Sequence, residues 1–209
     1  MEKMLVTQGL NELKTLDSRI DRAVQQAEFV VPSKKSDKNA KAGVTKEDYC
    51  DRAKASMQQI KDLIKRRENI KAAIIASNAV TEVEIAGQKM TVAKAIDTKN
   101  SMEYYKLLLE NMKVQYSTST EKLERHNKNV EEKIDQLVIT AYGKDGKDKI
   151  SQNDYDAIAN PYKAANEAEL VDPLKIKDEI DKLQTWVEEF ESNVDAQLQI
   201  SNCMTYIEV

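Results

Sequence analysis

Residues that stop helices are few in this chain and are gathered at a handful of places. Glycines stand at 9, 43, 87, 143 and 146 and prolines at 32, 161 and 173, so long stretches contain nothing that breaks a helix. Each stretch carries apolar residues at steps of three and four, the spacing that lines one helical face. The first stripe runs through Val6, Leu10, Leu13, Leu16, Ile20, Val24 and Ala27 and ends before Pro32. The second opens with Thr45-Lys-Glu-Asp48, in which the Thr oxygen can accept from an orphan N–H, and continues through Met57, Ile60, Ile64, Ile70 and Ile74 to about Asn78. A third begins at Thr91 and passes Tyr105, Leu109, Met112, Tyr116, Leu123, His126, Val130, Ile134 and Leu137. If unbroken from 92 to 142 it is about 75 Å long at about 1.5 Å per residue. The fourth is expected to start at Asp172-Pro173 and to bury Ile176, Ile180, Leu183, Val187, Phe190 and Val194.

Charged residues make up 33% of the 209 and aromatic residues 5%, which suits helices with wet outer faces and excludes a strand-rich sandwich or barrel. The expected fold is therefore mainly α. It is an elongated antiparallel bundle of about four long helices, a single helical domain over 1–209 with a small β-hairpin or short sheet at one end. Two connections interrupt it. Residues 32–44 form a basic loop with Lys34, Lys35, Lys38 and Lys41 against Asp37, and 143–171 is an irregular insert with a short helix expected around Tyr155–Ile158.

The chain also repeats itself. Residues 77–85 read SNAVTEVEI and residues 201–209 read SNCMTYIEV; Ser, Asn, Thr and the second Glu are identical, and four other positions exchange one apolar residue for another. Each copy follows a predicted helix and then alternates with β-branched residues, as a helix end turning into a short strand does. The first continues through Ala86-Gly87 into Gln88-Lys89-Met90, a hairpin signal, and both copies are expected to join one small sheet.

The runs RRENIKAAIIASNAVTEVEIAGQKMTVAKAI (66–96) and VDAQLQISNCMTYIEV (194–209), 47 residues in all, resemble the septicolysin-like family of small helical proteins of bacteria and their phages. That resemblance implies an all-helical protein that forms closed homo-oligomers. No segment fits the amphipathic membrane-inserting helix that lysis would require.

Several functions are disfavoured by the residues alone. Lys and Arg total 32 against 36 Asp and Glu, a net charge of -4, the wrong sign for coating duplex nucleic acid. No run approaches a membrane span and no leader pattern opens the chain, so a cytoplasmic location is expected. Cys50 and Cys203 lie far apart and outside any CxxC pattern, and are expected as free thiols. Gly143–Asp154 superficially resembles a calcium loop but fails at the first, fifth, sixth and twelfth positions. His126, the single histidine, has no evident metal or proton-relay partners and is expected packed within the bundle or at its edge. No catalytic motif occurs, so neither an enzyme nor a cofactor or metal is expected.

The remaining candidate is basic. Residues 45–78 carry eight Lys and Arg against five Asp and Glu, whereas 174–200 carries three against seven. These helices could simply attract each other. Alternatively Arg66, Arg67 and Lys71, with Asn78 and Thr81 of the first repeat and Asn202 and Thr205 of the second, could grip a small anionic ligand, Arg clamping phosphate and Asn reading a base or ribose edge. The expected function is a non-enzymatic, homo-oligomeric, phage-related protein that sequesters a small anionic, nucleotide-derived ligand, as a sponge for an immune signal would. The rival expectation is a structural component of a phage particle or another helical scaffold.

Overall fold

The structure is a computed structural model that describes residues 2–143 and 150–209. It is mainly helical, with short antiparallel strand pairs. In order the elements are β1 (Lys3–Leu5), α1 (Val6–Gln26), β2 (Asn39–Lys41), β3 (Val44–Thr45), α2 (Lys46–Val80), β4 (Glu82–Ile85), β5 (Gln88–Thr91), α3 (Val92–Asn100), α4 (Met102–Tyr142), α5 (Gln152–Asn166), α6 (Ile176–Met204) and β6 (Tyr206–Glu208). Within the expected single domain two compact units are distinguished, one of residues 1–100 and 189–209, the other of residues 101–188.

In the first unit α1 packs along α2. Met4, Val6, Leu13, Leu16, Ile70, Ile74 and Ile207 form its buried core, flanked by Leu10, Leu63, Ala73 and Val209. Gly9 sits inside this cluster. A Cβ there would stand 3.1 Å from Ile207 Cδ1 and 3.3 Å from Ile70 Cγ2, so the close approach of α1 to α2 and β6 depends on its missing side chain. Thr45 caps α2 as its sequence indicates, its hydroxyl accepting from the Asp48 N–H at 3.1 Å. Thr91 likewise accepts from the Lys94 N–H at 3.2 Å, at the start of α3.

The hairpin at 82–91 forms, with Glu82 opposite Thr91 and Ile85 opposite Gln88, and Ala86 and Gly87 at positive φ in its turn. The expectation that both repeat copies share one sheet is not met. β6 pairs with β1, Tyr206 opposite Leu5 and Glu208 opposite Lys3, because the amino-terminal segment 3–5 is itself a strand that covers the second copy's edge. The 32–44 loop is also more ordered than its composition suggests, since β2 and β3 form a hairpin turned by Gly43 at φ +74°.

The second unit is built on α4 and α5. Val130, Ile134 and Val138 pack on Ala159, with Ile150, Tyr155, Ile158 and Tyr162 around them. The ring of Tyr105 stacks at a tilt on Trp186, with centroids 4.9 Å apart. His126 lies at the edge of this unit, where its Nε2 donates to the Asn166 carbonyl oxygen at 2.7 Å, and Asn127 exchanges hydrogen bonds with the Ala168 backbone.

Three helix boundaries differ from the sequence expectation. The 92–142 stretch is two helices, divided at Ser101, where ψ moves to 3°. The short helix expected at Tyr155–Ile158 extends over Gln152–Asn166, started by the Ser151 hydroxyl accepting from Asp154 N–H and accommodating Pro161. The last helix begins at Ile176, not at Pro173: Asp172 does cap it, accepting from the Ile176 N–H, but a turn with Lys175 at φ 52° intervenes. Residues 144–149 of Gly143–Asp154, considered above as a calcium loop, lie outside the described residues.

Candidate functional site

The two repeat copies are equivalent in backbone as well as in sequence. Thr81 N–H donates to Ser77 O and Thr205 N–H to Ser201 O, both at 2.9 Å. The Thr81 carbonyl accepts from Val92 N–H at 2.8 Å and the Thr205 carbonyl from Val6 N–H at 2.9 Å, so each threonine ends one helix and caps the start of another. The equivalence extends into the partner strands, where EKMLVTQGL (2–10) matches QKMTVAKAI (88–96) in register. The repeat unit is therefore helix-strand-strand-helix. One copy is continuous through the 86–87 turn; the other is assembled across residues 2 and 209, which exchange backbone hydrogen bonds at 2.9 and 3.0 Å.

The predicted site residues are distributed unevenly over this frame. Arg66 donates through Nε to Glu12 at 2.8 Å and through Nη2 to Glu2 at 2.6 Å, and Arg67 donates to Asp17 at 2.5 Å. The hydrogen bond from Arg66 holds the Glu12 carboxyl below its ordinary range, and the same bond raises the Arg66 guanidinium above its own. Both arginines therefore fasten α2 to α1. The attraction considered for the acidic helix at 174–200 is instead satisfied for Arg66 by Glu2 and Glu12 and for Arg67 by Asp17, because the apolar stripes of α1 and α2 bring those carboxylates alongside. Lys71 is exposed and without an ion pair among the described residues. Asn78 and Asn202 are half-buried at equivalent positions, and their carboxamides make no hydrogen bond to the described residues. Thr81 and Thr205 are engaged through their backbones, and the Thr81 hydroxyl lies 3.5 Å from that of Ser77.

Further along the same helix pair lies a cleft of about 410 Å³, lined by Arg19, Arg22, Gln26, Ser56, Gln59 and Leu63 with Ala23 and Ala27. Its size falls in the range of about 300–1,000 Å³ usual for small-molecule sites. Neither Arg19 nor Arg22 has a carboxylate partner among the described residues, although the field of Arg19 helps to lower the Glu12 pKa. Two unmatched guanidinium groups beside carboxamides and a hydroxyl suit phosphate and ribose oxygens.

Sequence reasoning passed over this cleft because it weighed net charge along one helix. The signal was present as spacing: Arg19, Arg22, Ala23 and Gln26 share a face of α1, and Ser56, Gln59 and Leu63 share a face of α2. Among the described residues no cluster of three or more His, Cys, Asp or Glu could hold a metal ion, and no helix is long and apolar enough to cross a membrane. Cys50 and Cys203 are free and exposed. No family model, curated protein or solved structure matches the chain.

Proposed function

We propose that this chain binds and sequesters a small anionic, nucleotide-derived molecule without transforming it, acting as a homo-oligomer. The observation that carries this reading is the α1–α2 cleft, in which Arg19 and Arg22 stand free of carboxylates while Arg66 and Arg67 are neutralised by theirs. The anion site thus moves along the same two helices from the predicted Arg66, Arg67 and Lys71 to Arg19 and Arg22. The resemblance of 66–96 and 194–209 to septicolysin-like proteins supports a phage-related origin, an oligomer and a setting in the cytoplasm of a bacterial host. Asn78, Thr81, Asn202 and Thr205 serve the repeat junctions in this reading, with the two free carboxamides available to a neighbouring subunit or ligand.

Isothermal calorimetry against a panel of nucleoside mono-, di- and triphosphates tests it. Micromolar binding is expected for at least one, weakening as salt is raised, with a loss of about 10- to 100-fold in Arg19→Ala/Arg22→Ala, as removal of a charged hydrogen bond worth about 1.5–3 kcal/mol requires. Absence of binding across the panel, or a double variant that binds as tightly as the parent, overturns it.

A second reading, a structural or assembly component, is favoured by one observation. Tyr104, Leu107, Leu108 and Val114 lie along one side of α4 and are all more than half exposed. Isolation of the chain within a phage particle would favour that role over sequestration.

A further inference from the structure

The α1–α2 cleft does not end at Gln26 and Ser56. Both residues also line a second compartment of about 300 Å³, together with Glu28, Lys41, Val44, Tyr49 and Arg52. Here Lys41 donates to Glu28, so that pair is neutral, and Arg52 is the one cation among the lining residues without a carboxylate partner. Tyr49 is buried, and its hydroxyl has no hydrogen-bond partner in the structure. A buried hydroxyl left unpaired is costly, and it is a group a ligand could satisfy.

Helix geometry gives the spacing of the two cationic ends. On α2, Arg52 precedes Gln59 by seven residues, about 10 Å at about 1.5 Å per residue. On α1 the same interval separates Arg19 from Gln26. Guanidinium groups therefore stand at the two ends of one groove, with Gln26 and Ser56 as an uncharged polar band between them. A single phosphate engages one end and leaves the other unused.

We propose that the groove selects a ligand carrying two separate phosphate groups joined by a polar, uncharged middle, of the size and chemistry of a phosphorylated dinucleotide. One phosphate lies at Arg19 and Arg22 and the other at Arg52; Gln26 and Ser56 meet the sugar or base between them, and the Tyr49 hydroxyl donates to the ligand at the Arg52 end. This assignment rests on the anion-binding reading of the same cleft and specifies its ligand.

Calorimetry of the full chain with 5′-phosphorylated diadenylate and with AMP tests it, using Arg52→Gln and Arg19→Ala. Arg52 is exposed and makes no ion pair, so its variant should keep the parent far-UV circular dichroism. The dinucleotide is expected to bind at least tenfold more tightly than AMP. Arg52→Gln should remove that advantage while leaving AMP binding within twofold, and Arg19→Ala should weaken both. Equal affinity for the two probes, or an Arg52→Gln variant that keeps the preference, overturns the two-phosphate assignment and leaves the anion-binding reading intact. If neither probe binds, nor any nucleotide of the panel, both fall.

Discussion

Thr81 and Thr205 close different helices by the same backbone hydrogen bonds, and their carbonyls cap the two helices that begin at Val92 and Val6. The equivalence continues into the core. Ile70 and Val194, Val92 and Val6, and Val83 and Ile207 are buried pairs at matching positions. The copies differ where they meet: Arg66 of the continuous copy is joined by an ion pair to Glu12 of the assembled copy, whereas the equivalent positions, Phe190 of the assembled copy and Thr98 of the continuous one, are both buried.

The geometry of the assembled copy predicts a tolerated change of connectivity. Residues 209 and 2 face each other as 85 and 88 do across Ala86-Gly87. A chain in which Val209 is joined to Glu2 through Ala-Gly and opened between Ala86 and Gly87 should therefore fold, with parent-like far-UV circular dichroism and a cooperative thermal transition. Loss of helicity in that permuted chain would show that the two strand pairs are not interchangeable.

The ion pair predicts how acid acts on the fold. Glu12 is held below its ordinary value of 4.5, so it contributes stability above that pH and the contribution is lost as pH falls through its lower folded value. Because the pair is about one-third exposed, its contribution is about 1 kcal/mol. Denaturant midpoints measured from pH 6 downward should show Glu12→Gln less stable than the parent at pH 6, with the difference shrinking below pH 4.5. A difference that stays constant to pH 3 would assign the effect to something other than ionisation.

Tyr49 gives a prediction with opposite signs for stability and binding. Its hydroxyl is buried and unpaired within the chain, which costs about 1–3 kcal/mol. Tyr49→Phe should raise the urea midpoint of the free protein while weakening the phosphorylated dinucleotide several-fold. A midpoint that falls would mean the hydroxyl has a partner in solution.

How far these features could be read from the sequence depends on the range of the interaction. Local signals were reliable: the Thr45 cap, the Thr91 cap, the hairpin at Ala86-Gly87 and the apolar stripes of α1 and α2 all depend on residues a few positions apart. Partners distant in sequence were not. The match between 2–10 and 88–96 is hidden because its strand has no hairpin turn beside it, and it becomes evident only when β1 is seen against β6. Arg66 was weighed against the most acidic helix, whereas the partner is decided by which apolar faces meet, and Ile70 and Ile74 meet Leu13 and Leu16 on α1. The break at Ser101 has no proline or glycine to announce it. The site suffered most, because a cleft is defined by what two helices leave unfilled.

The exposed side of α4 tests whether the chain associates with itself. Leu107 and Leu108 lie three and four residues after Tyr104, and Val114 seven after Leu107, so the four lie along one helical face, and Leu107 is 68% exposed. Leaving such a face in water forfeits apolar burial, and covering two leucines returns about 3 kcal/mol per copy, more than 100-fold in a dissociation constant. If the homo-oligomer uses this face, Leu107→Glu/Leu108→Glu places two like charges in each contact and removes that burial. Mass photometry at nanomolar concentration should then record the monomer mass for the variant and a multiple of it for the parent. Helicity and the thermal midpoint of the isolated chain should change little, because neither side chain is buried within it. An oligomer that survives the double substitution would exclude this face from the subunit contact and leave it to the partner required by an assembly role.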